Sequence, residues 1–296
     1  MLLTILSWAV INLSSAFMRT SPDYEAPLDN QLMMGELVQT LETSRYWVKV
    51  VADDYTGWIV SDALAVLTDE EKEAYLEAPK WICMAEYSRV RTSPSESAAP
   101  LTDISMGDLV RQAGKSSGGW TQILLPDGRC GWVLSHELMD FGQWAQSRAA
   151  TNRVREITDL ACSFAGTPYM WGGNTVKYFD CSGLAQFCYF MNGILLPRNA
   201  SQQQRCGTPV TDGAYMPGDL LFFGSKKPLK ITHVAIYIGQ GRIVHSSQKV
   251  KIMSLEEYGR EVVAATRILC DTGIGKGALS ILDSPYYFRQ DGDKQD

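Results

Sequence analysis

The chain has little of what would classify it at a glance. Among 296 residues there are three histidines, at 136, 233 and 245, and no CxxC pair stands beside any of them. A zinc site built from closely spaced ligand pairs therefore lacks its usual material. The seven cysteines, at 83, 130, 162, 181, 188, 206 and 270, are odd in number and without paired spacing, which argues against a disulfide framework. There is no run of Lys or Arg and the net charge is −6, so a nucleic-acid partner is not expected, because phosphate binding needs clustered cations. No apolar run is long enough to span a bilayer. The start, "MLLTILSWAVINLSSAF", is broken by polar residues and lacks a charged n-region, so neither integral membrane association nor a signal peptide is read from it.

What is present is ordinary globular material, 45% apolar and 20% charged, in a length that holds two or three domains. The charge is uneven. Residues 1–150 carry 11 basic and 20 acidic side chains, whereas residues 151–270 carry 13 basic and 8 acidic. The back half is mildly basic and suits a small anionic substrate better than a polyanion.

The front half is a tandem repeat. "WAVINLSSAFMRTSP" (8–22) recurs as "WICMAEYSRVRTSP" (81–94), "MGELV" (34–38) as "MGDLV" (106–110), and "YTGWIVSDAL" (55–64) as "RCGWVLSHEL" (129–138). Trp47 of "YWVKV" answers Trp120 of "GWTQI", and the offset stays within 72 to 74 residues. Short alternating apolar stretches cut by Ser/Pro, Met-Gly and Asp/Gly turns predict a small β-barrel in each copy. The first strand of copy one is read as Trp8 to Arg19, which leaves at most the first seven residues as the remnant of a signal. Between the copies, "LTDEEKEAYLEAPK" (67–80) offers Thr68 and Glu71 as a capping box and predicts a connecting helix.

After "FGQWAQSR" the periodicity lengthens. A helix is predicted near 153–165, then the loop "TPYMWGG", a helix starting at Cys181, a polar helix near "ASQQQRC", and strands "DLLFFG", "HVAIYIG" and "RIVHSS". Helices followed by an antiparallel meander make an α+β domain. The division read is 1–66 and 81–140 for the barrels, 67–80 for the linker helix, 150–270 for the α+β domain and 271–296 for a tail. The tail's end, "RQDGDKQD", is expected to be disordered.

In "YFDCSGLAQF", Leu184, Phe187, Cys188 and Met191 mark one apolar helical face, and Asp180 is a natural N-cap, so Cys181 falls in the first turn. A thiol there meets the positive end of the helix dipole, which is expected to lower its pKa from about 8.5. The other six cysteines are read as packing residues. A nucleophilic cysteine needs a base, and a group to orient that base. His136 takes the repeat position that Asp62 holds in copy one and is read as a surface residue. His233 and His245 lie on two strands joined by the turn "GQG", and if paired residues sum to 480 they are same-face diagonal neighbours. A Cys/His zinc site is the other use of this trio.

The ordered motifs "GTPYMWGG", "FDCSGLAQ", "PRNASQQ", "PGDLLFF", "THVAIYIG" and "RIVHSS" resemble those of NlpC-type cysteine peptidases across nearly all of 150–270. Each front copy resembles a bacterial SH3-like domain. Together they resemble the YkfC-like subgroup, the γ-D-glutamyl-L-diamino acid endopeptidases. The resemblance implies a papain-like core with Cys181 as nucleophile, His233 as general base and His245 as its orienting partner. It implies an oxyanion contact from Tyr169, for which an ordinary loop aromatic is the alternative. It also implies substrate contacts from Asp180, Ser182 and Ser201, with helix capping as the other reading of Asp180 and Ser201. In the subgroup the first SH3-like domain binds the free amine of L-Ala, which points to Tyr55. The acidic partner is not assigned among Asp23, Glu25 and Asp29.

The implied reaction is hydrolysis of the bond from γ-D-Glu to meso-diaminopimelate or Lys in peptidoglycan stem peptides, without metal or cofactor, by a monomer. An endopeptidase or amidase acting on intact wall, and a non-catalytic wall-binding protein, are the competing readings. Unpaired cysteines suit a reducing, cytoplasmic compartment. A start codon further upstream would instead allow the cell envelope.

Overall fold

The computed structural model describes residues 7–53, 55–149, 153–270 and 273–290. Its contacts divide the chain into two compact units, Met1–Ser147 with Ser284–Asp296, and Arg148–Asp283.

In the first unit, seven strands form the first barrel: Ser7–Ile11, Ala16–Arg19, Leu28–Leu32, Leu37–Ser44, Trp47–Ala52, Tyr55–Val60 and Leu64–Leu67, here β1 to β7. They lie in the order β3-β2-β6-β5-β4-β1-β7. The second barrel uses Lys80–Cys83, Ser88–Arg91, Pro100–Ile104, Leu109–Ser117, Trp120–Leu124, Cys130–Leu134 and Leu138–Asp140, β8 to β14. Its order, β10-β9-β13-β12-β11-β8-β14, is the first barrel's order moved on by seven strands. A 3-10 turn precedes the last strand of each, at Ser61–Ala63 and Ser135–Glu137. The stretch Trp8 to Arg19 is thus two strands rather than one, because "NLSS" bends between β1 and β2.

The repeated Gly-Trp has a packing cause. A Cβ on Gly57 would sit 2.3 Å from Met18 Cγ, and one on Gly131 would sit 2.2 Å from Val90 Cγ1. Each barrel core closes over its own glycine. The repeated Met-Gly turn forms the seam between the copies. The Met34 N–H donates to Asp108 Oδ1 at 2.9 Å, and Met34 is buried in the second barrel's core beside Ile104, Val110 and Val133. The linker is α1, Asp69–Glu77, capped by Thr68 and Glu71 through a complete capping box. The tail is described over residues 273–290. Phe288 stacks on Phe141 at 5.0 Å and Arg289 pairs with Glu73 and Glu77. These aromatic and ionic contacts supply what its polar end lacks; residues 291–296 lie outside the described ones.

The second unit begins at Arg148, near the end of α2, Phe141–Ala149, and its first full helix is α3, Val154–Ser163, whose Ile157 and Ala161 are buried. Its centre is α4, Cys181–Phe190, followed by the single turn α5, Ala200–Gln203. An antiparallel sheet comprises Thr208–Pro209, Leu220–Lys226, Leu229–Gly239, Arg242–Ser247, Lys249–Ser254 and Val262–Arg267, β15 to β20, in the order β15-β20-β16-β17-β18-β19. A further turn, α6, is Leu255–Tyr258. Phe164, Phe179 and Phe187 meet at 5.0 to 5.7 Å, joining α3 and the segment before α4 to α4 itself. Leu220 and Phe222 alternate with Leu221 and Phe223 on β16, and all four are fully buried, so the sheet is covered on both faces. Among the described residues no helix is long and apolar enough to cross a membrane.

Candidate active site

Cys181 opens α4, and the extended Asp180 caps it, accepting from the Gly183 N–H at 2.7 Å. Gly183 is required by proximity, since a Cβ there would sit 2.0 Å from the Gly173 carbonyl oxygen. The start of α4 is therefore pressed against the "WGGN" turn, and the Gly172 N–H donates to Asp180 Oδ2 at 3.0 Å.

Asp180 does more than cap. Arg198 forks onto it, Nη1 to Oδ1 at 3.1 Å and Nη2 to Oδ2 at 2.5 Å, and the Ser182 hydroxyl donates to Oδ1 at 3.2 Å. All three side chains are buried. A buried carboxylate is tolerable only when its charge and lone pairs are matched, and this fork matches them. Gln203 continues the clamp by donating to the Ser182 carbonyl at 3.0 Å and the Pro197 carbonyl at 2.9 Å. Arg198 and Gln203 stand in the "PRNASQQ" motif without being singled out from sequence. The available signal was that an Asp capping a buried helix needs a cationic partner.

The histidine hairpin has the expected register, Ile236 opposite Val244 and Tyr237 opposite Ile243. His233 Nε2 and His245 Nδ1 lie 2.8 Å apart with their rings perpendicular. His245 Nε2 lies 3.2 Å from Met253 Sδ on β19. A thioether has no proton to give, so His245 donates through Nε2 and accepts through Nδ1. His233 then donates through Nε2, which leaves its Nδ1 with the lone pair a general base needs. Met253 sets this tautomer, and nothing in its sequence context marked it. Tyr258, at the end of α6, stands edge-on to His245 at 4.7 Å and 5.8 Å from His233. The Ser246 hydroxyl donates to the Phe179 carbonyl at 2.8 Å, tying β18 to the residues before α4.

The two halves meet at the sulfur. The N–H groups of Val234, next to His233, and of Ser182 point at Cys181 Sγ. They do not make it a thiolate. Burial, and then the neighbouring Asp180 charge, push the Cys181 thiol up to about 11. This corrects the expectation of a lowered pKa, because removal from water outweighs the helix end. Burial and the adjacent His245 lower His233 to about 3, and burial with Lys251 lowers His245 to about 4. The resting pair is a neutral thiol beside a neutral imidazole, so the proton must move as the sulfur attacks.

Tyr169 is half-buried, and burial followed by Asp180 and Cys181 raises its phenol to about 12, which keeps it a hydrogen-bond donor close to the sulfur. Ser201 is exposed in the first turn of α5. Asn199 caps that turn, its own N–H donating to Gln202 Oε1 at 3.1 Å, so capping is not the work of Ser201. Tyr55 belongs to the first unit, opening β6 and packing on that barrel's core. His136 is exposed on its 3-10 turn, as its repeat position suggested. Cys130 is exposed at the start of β13, unlike the buried packing residue expected, because the "PDGRC" turn carries it to the surface. Among the described residues no group of three or more His, Cys, Asp or Glu is arranged to hold a metal.

A helix-start cysteine beside a relayed imidazole pair defines a cysteine-type hydrolase site. Residues 166–267 match the NlpC/P60 family model, residues 18–64 match the bacterial dipeptidyl-peptidase Sh3 domain, and residues 87–139 match the bacterial SH3 domain. The chain is 26% identical over 260 residues to a γ-D-glutamyl-L-lysine dipeptidyl-peptidase of Bacillus cereus, covering 82% of this chain and 75% of that one. It is also 26% identical to dipeptidyl-peptidase 6 of Lysinibacillus sphaericus, covering 84% and 92%. The crystal structure of an NlpC/P60 family protein from Bacillus cereus superposes with a TM-score of 0.75 at 24% identity, covering 88% of this chain and 99% of that one. Residues 166–267 form an NlpC/P60 catalytic domain preceded by two SH3 domains, and the chain is a cysteine-type peptidase.

Proposed function

We propose that this peptidase hydrolyses the bond between the γ-carboxyl of D-Glu and a diamino acid, Lys or meso-diaminopimelate, in peptidoglycan stem peptides that begin with a free L-Ala. The observation that carries the chemistry is the chain of contacts from Met253 through His245 to His233, with the neighbouring Val234 amide on the Cys181 sulfur. The name of the Bacillus cereus relative, matched over 75% of its length, supports the bond chosen, and that of the Lysinibacillus sphaericus relative supports release of a dipeptide.

In this reading Cys181 Sγ attacks the γ-carbonyl carbon as its proton passes to His233 Nδ1. The oxyanion is held by the Cys181 N–H and the Tyr169 hydroxyl. Imidazolium His233 protonates the leaving α-amine, which departs as the free diamino acid and leaves a thioester of L-Ala-D-Glu on Cys181. Water, deprotonated by His233, cleaves the thioester to release the dipeptide. His245 steadies the imidazolium. The carboxylate of Asp180 is already engaged by Arg198 and two backbone amides, and the buried Ser182 hydroxyl is bonded to Asp180 and Arg198, so both hold the helix start, while the exposed Ser201 presents its hydroxyl to substrate. Tyr55 serves recognition of the free amine. Free thiols at all seven cysteines support a reducing, cytoplasmic setting.

Mass spectrometry of products from L-Ala-γ-D-Glu-L-Lys and its N-acetylated form tests the reading. Release of L-Ala-D-Glu from the free peptide alone is expected, with Tyr55→Ala narrowing that preference. Equal cleavage of both forms would assign the enzyme to intact wall, and no turnover at substrate excess would leave a binding protein.

A further inference from the structure

Beside the two histidines stands a cation whose charge the protein leaves open. Arg260 follows α6 by two residues. Its Nη1 donates to the Tyr258 hydroxyl at 3.3 Å and its Nη2 to Thr232 Oγ1 at 3.3 Å. Thr232 is the residue before His233 and is itself fixed, its hydroxyl donating to the Phe223 carbonyl at 3.3 Å. The guanidinium also lies over the Tyr258 ring, 5.9 Å from its centroid.

The nearby acids are committed elsewhere. Glu257 caps α6 by accepting from Ser254, and Glu261 pairs with Lys226. Among the described residues no carboxylate pairs with Arg260, which is exposed and keeps three of its five N–H donors. Tyr258 accepts from Arg260 and still has its own proton to donate. On the histidine side Arg260 bears on His233 and Lys251 on His245, while Asp180 on the cysteine side is neutralised by Arg198.

We infer that Arg260, with the Tyr258 hydroxyl, is a specificity-determining subsite for the α-carboxylate of the leaving diamino acid. The inference rests on the reaction proposed above. His233 must reach the leaving amine, and Arg260 is held on the residue adjoining His233. In the leaving amino acid the carboxylate is borne on the carbon that carries that amine, so a group flanking His233 is placed to meet it. A guanidinium fork is the donor suited to a carboxylate. The substrate class sharpens accordingly, to stem tripeptides ending in a free diamino-acid carboxylate rather than longer stems in which that carboxylate is an amide.

The test is kcat/KM for L-Ala-γ-D-Glu-L-Lys, its C-terminal amide, and the analogue carrying D-isoglutamine in place of D-Glu, with wild type, Arg260→Gln and Arg260→Lys. Wild type should prefer the free carboxylate over the amide by about ten- to a hundredfold, expressed mainly in KM. Arg260→Gln should collapse that ratio toward one, and Arg260→Lys should restore part of it. A ratio unchanged in Arg260→Gln overturns the inference. So does a wild type indifferent to the amide, or one in which Arg260 couples to the D-Glu α-carboxylate instead. If wild type cleaves none of the three, the proposed reaction itself fails and the inference fails with it.

Discussion

The two units contain the same reactive residue types with different surroundings. The barrels hold an exposed cysteine at 130, an exposed histidine at 136 and a surface ion pair between Arg129 and Asp127 at 2.6 Å. The second unit holds Cys181, His233 and His245, and a buried pair between Arg198 and Asp180. In the barrels each group meets water, and its neighbours are incidental. In the peptidase unit His233 meets His245 and Arg198 meets Asp180 at hydrogen-bond distance and buried, and the partly buried Cys181 receives the Val234 and Ser182 amides. Burial and partnership, not residue identity, separate chemistry from surface.

The sharpest break is at the thiols. Cys181→Ala should lower kcat/KM by about 10⁴-fold or more, the scale of losing a nucleophile, while Cys130→Ala leaves turnover where it was; tripeptide turnover reads both. The ion pairs come next. Arg198→Met strands the Asp180 charge and should cost about 3–5 kcal/mol of unfolding free energy, against about 0–1 kcal/mol for Arg129→Ala, measured by urea denaturation of each variant. A smaller effect is expected at the thioether. Met253→Leu keeps the bulk but removes the acceptor for His245, and should lower kcat roughly three- to tenfold, as the loss of one modest hydrogen bond, with the fold unchanged by circular dichroism.

The gentlest test is pH. His233 and His245 have folded values of about 3 and 4 against an ordinary 6.5. Above 6.5 they are neutral in both states and contribute no slope. As pH falls below 6.5 the unfolded chain takes up protons that the folded one refuses, so stability drops. Tm measured from pH 7 to pH 5 should decline, and His233→Asn should flatten part of the decline; a wild-type Tm rising over that interval would contradict the burial of the pair.

Much of this was legible in advance for physical reasons. The duplication appears because two barrels of one strand order need the same glycines, turns and tryptophans at the same intervals, and Gly57 and Gly131 show why one such glycine cannot vary. The helix at Cys181 and the hairpin of the histidines follow from local rules, a capping Asp, a 3.6-residue apolar period and a two-residue turn, so their register could be anticipated. Arg198, Met253, Tyr258 and Arg260 were not legible. Each acts on a residue distant in sequence, or through a ring packed against a ring, and no local period encodes such a contact.

The sequence by itself determined which elements form and which face of each is apolar, because those depend on neighbours within a few positions. The tertiary structure alone decided the state of the chemistry. A helix-start cysteine should favour thiolate by local rules, yet burial against β17 and the adjacent Asp180 keep it a thiol near 11. Solvation depends on everything packed around a group, and only the folded chain specifies that.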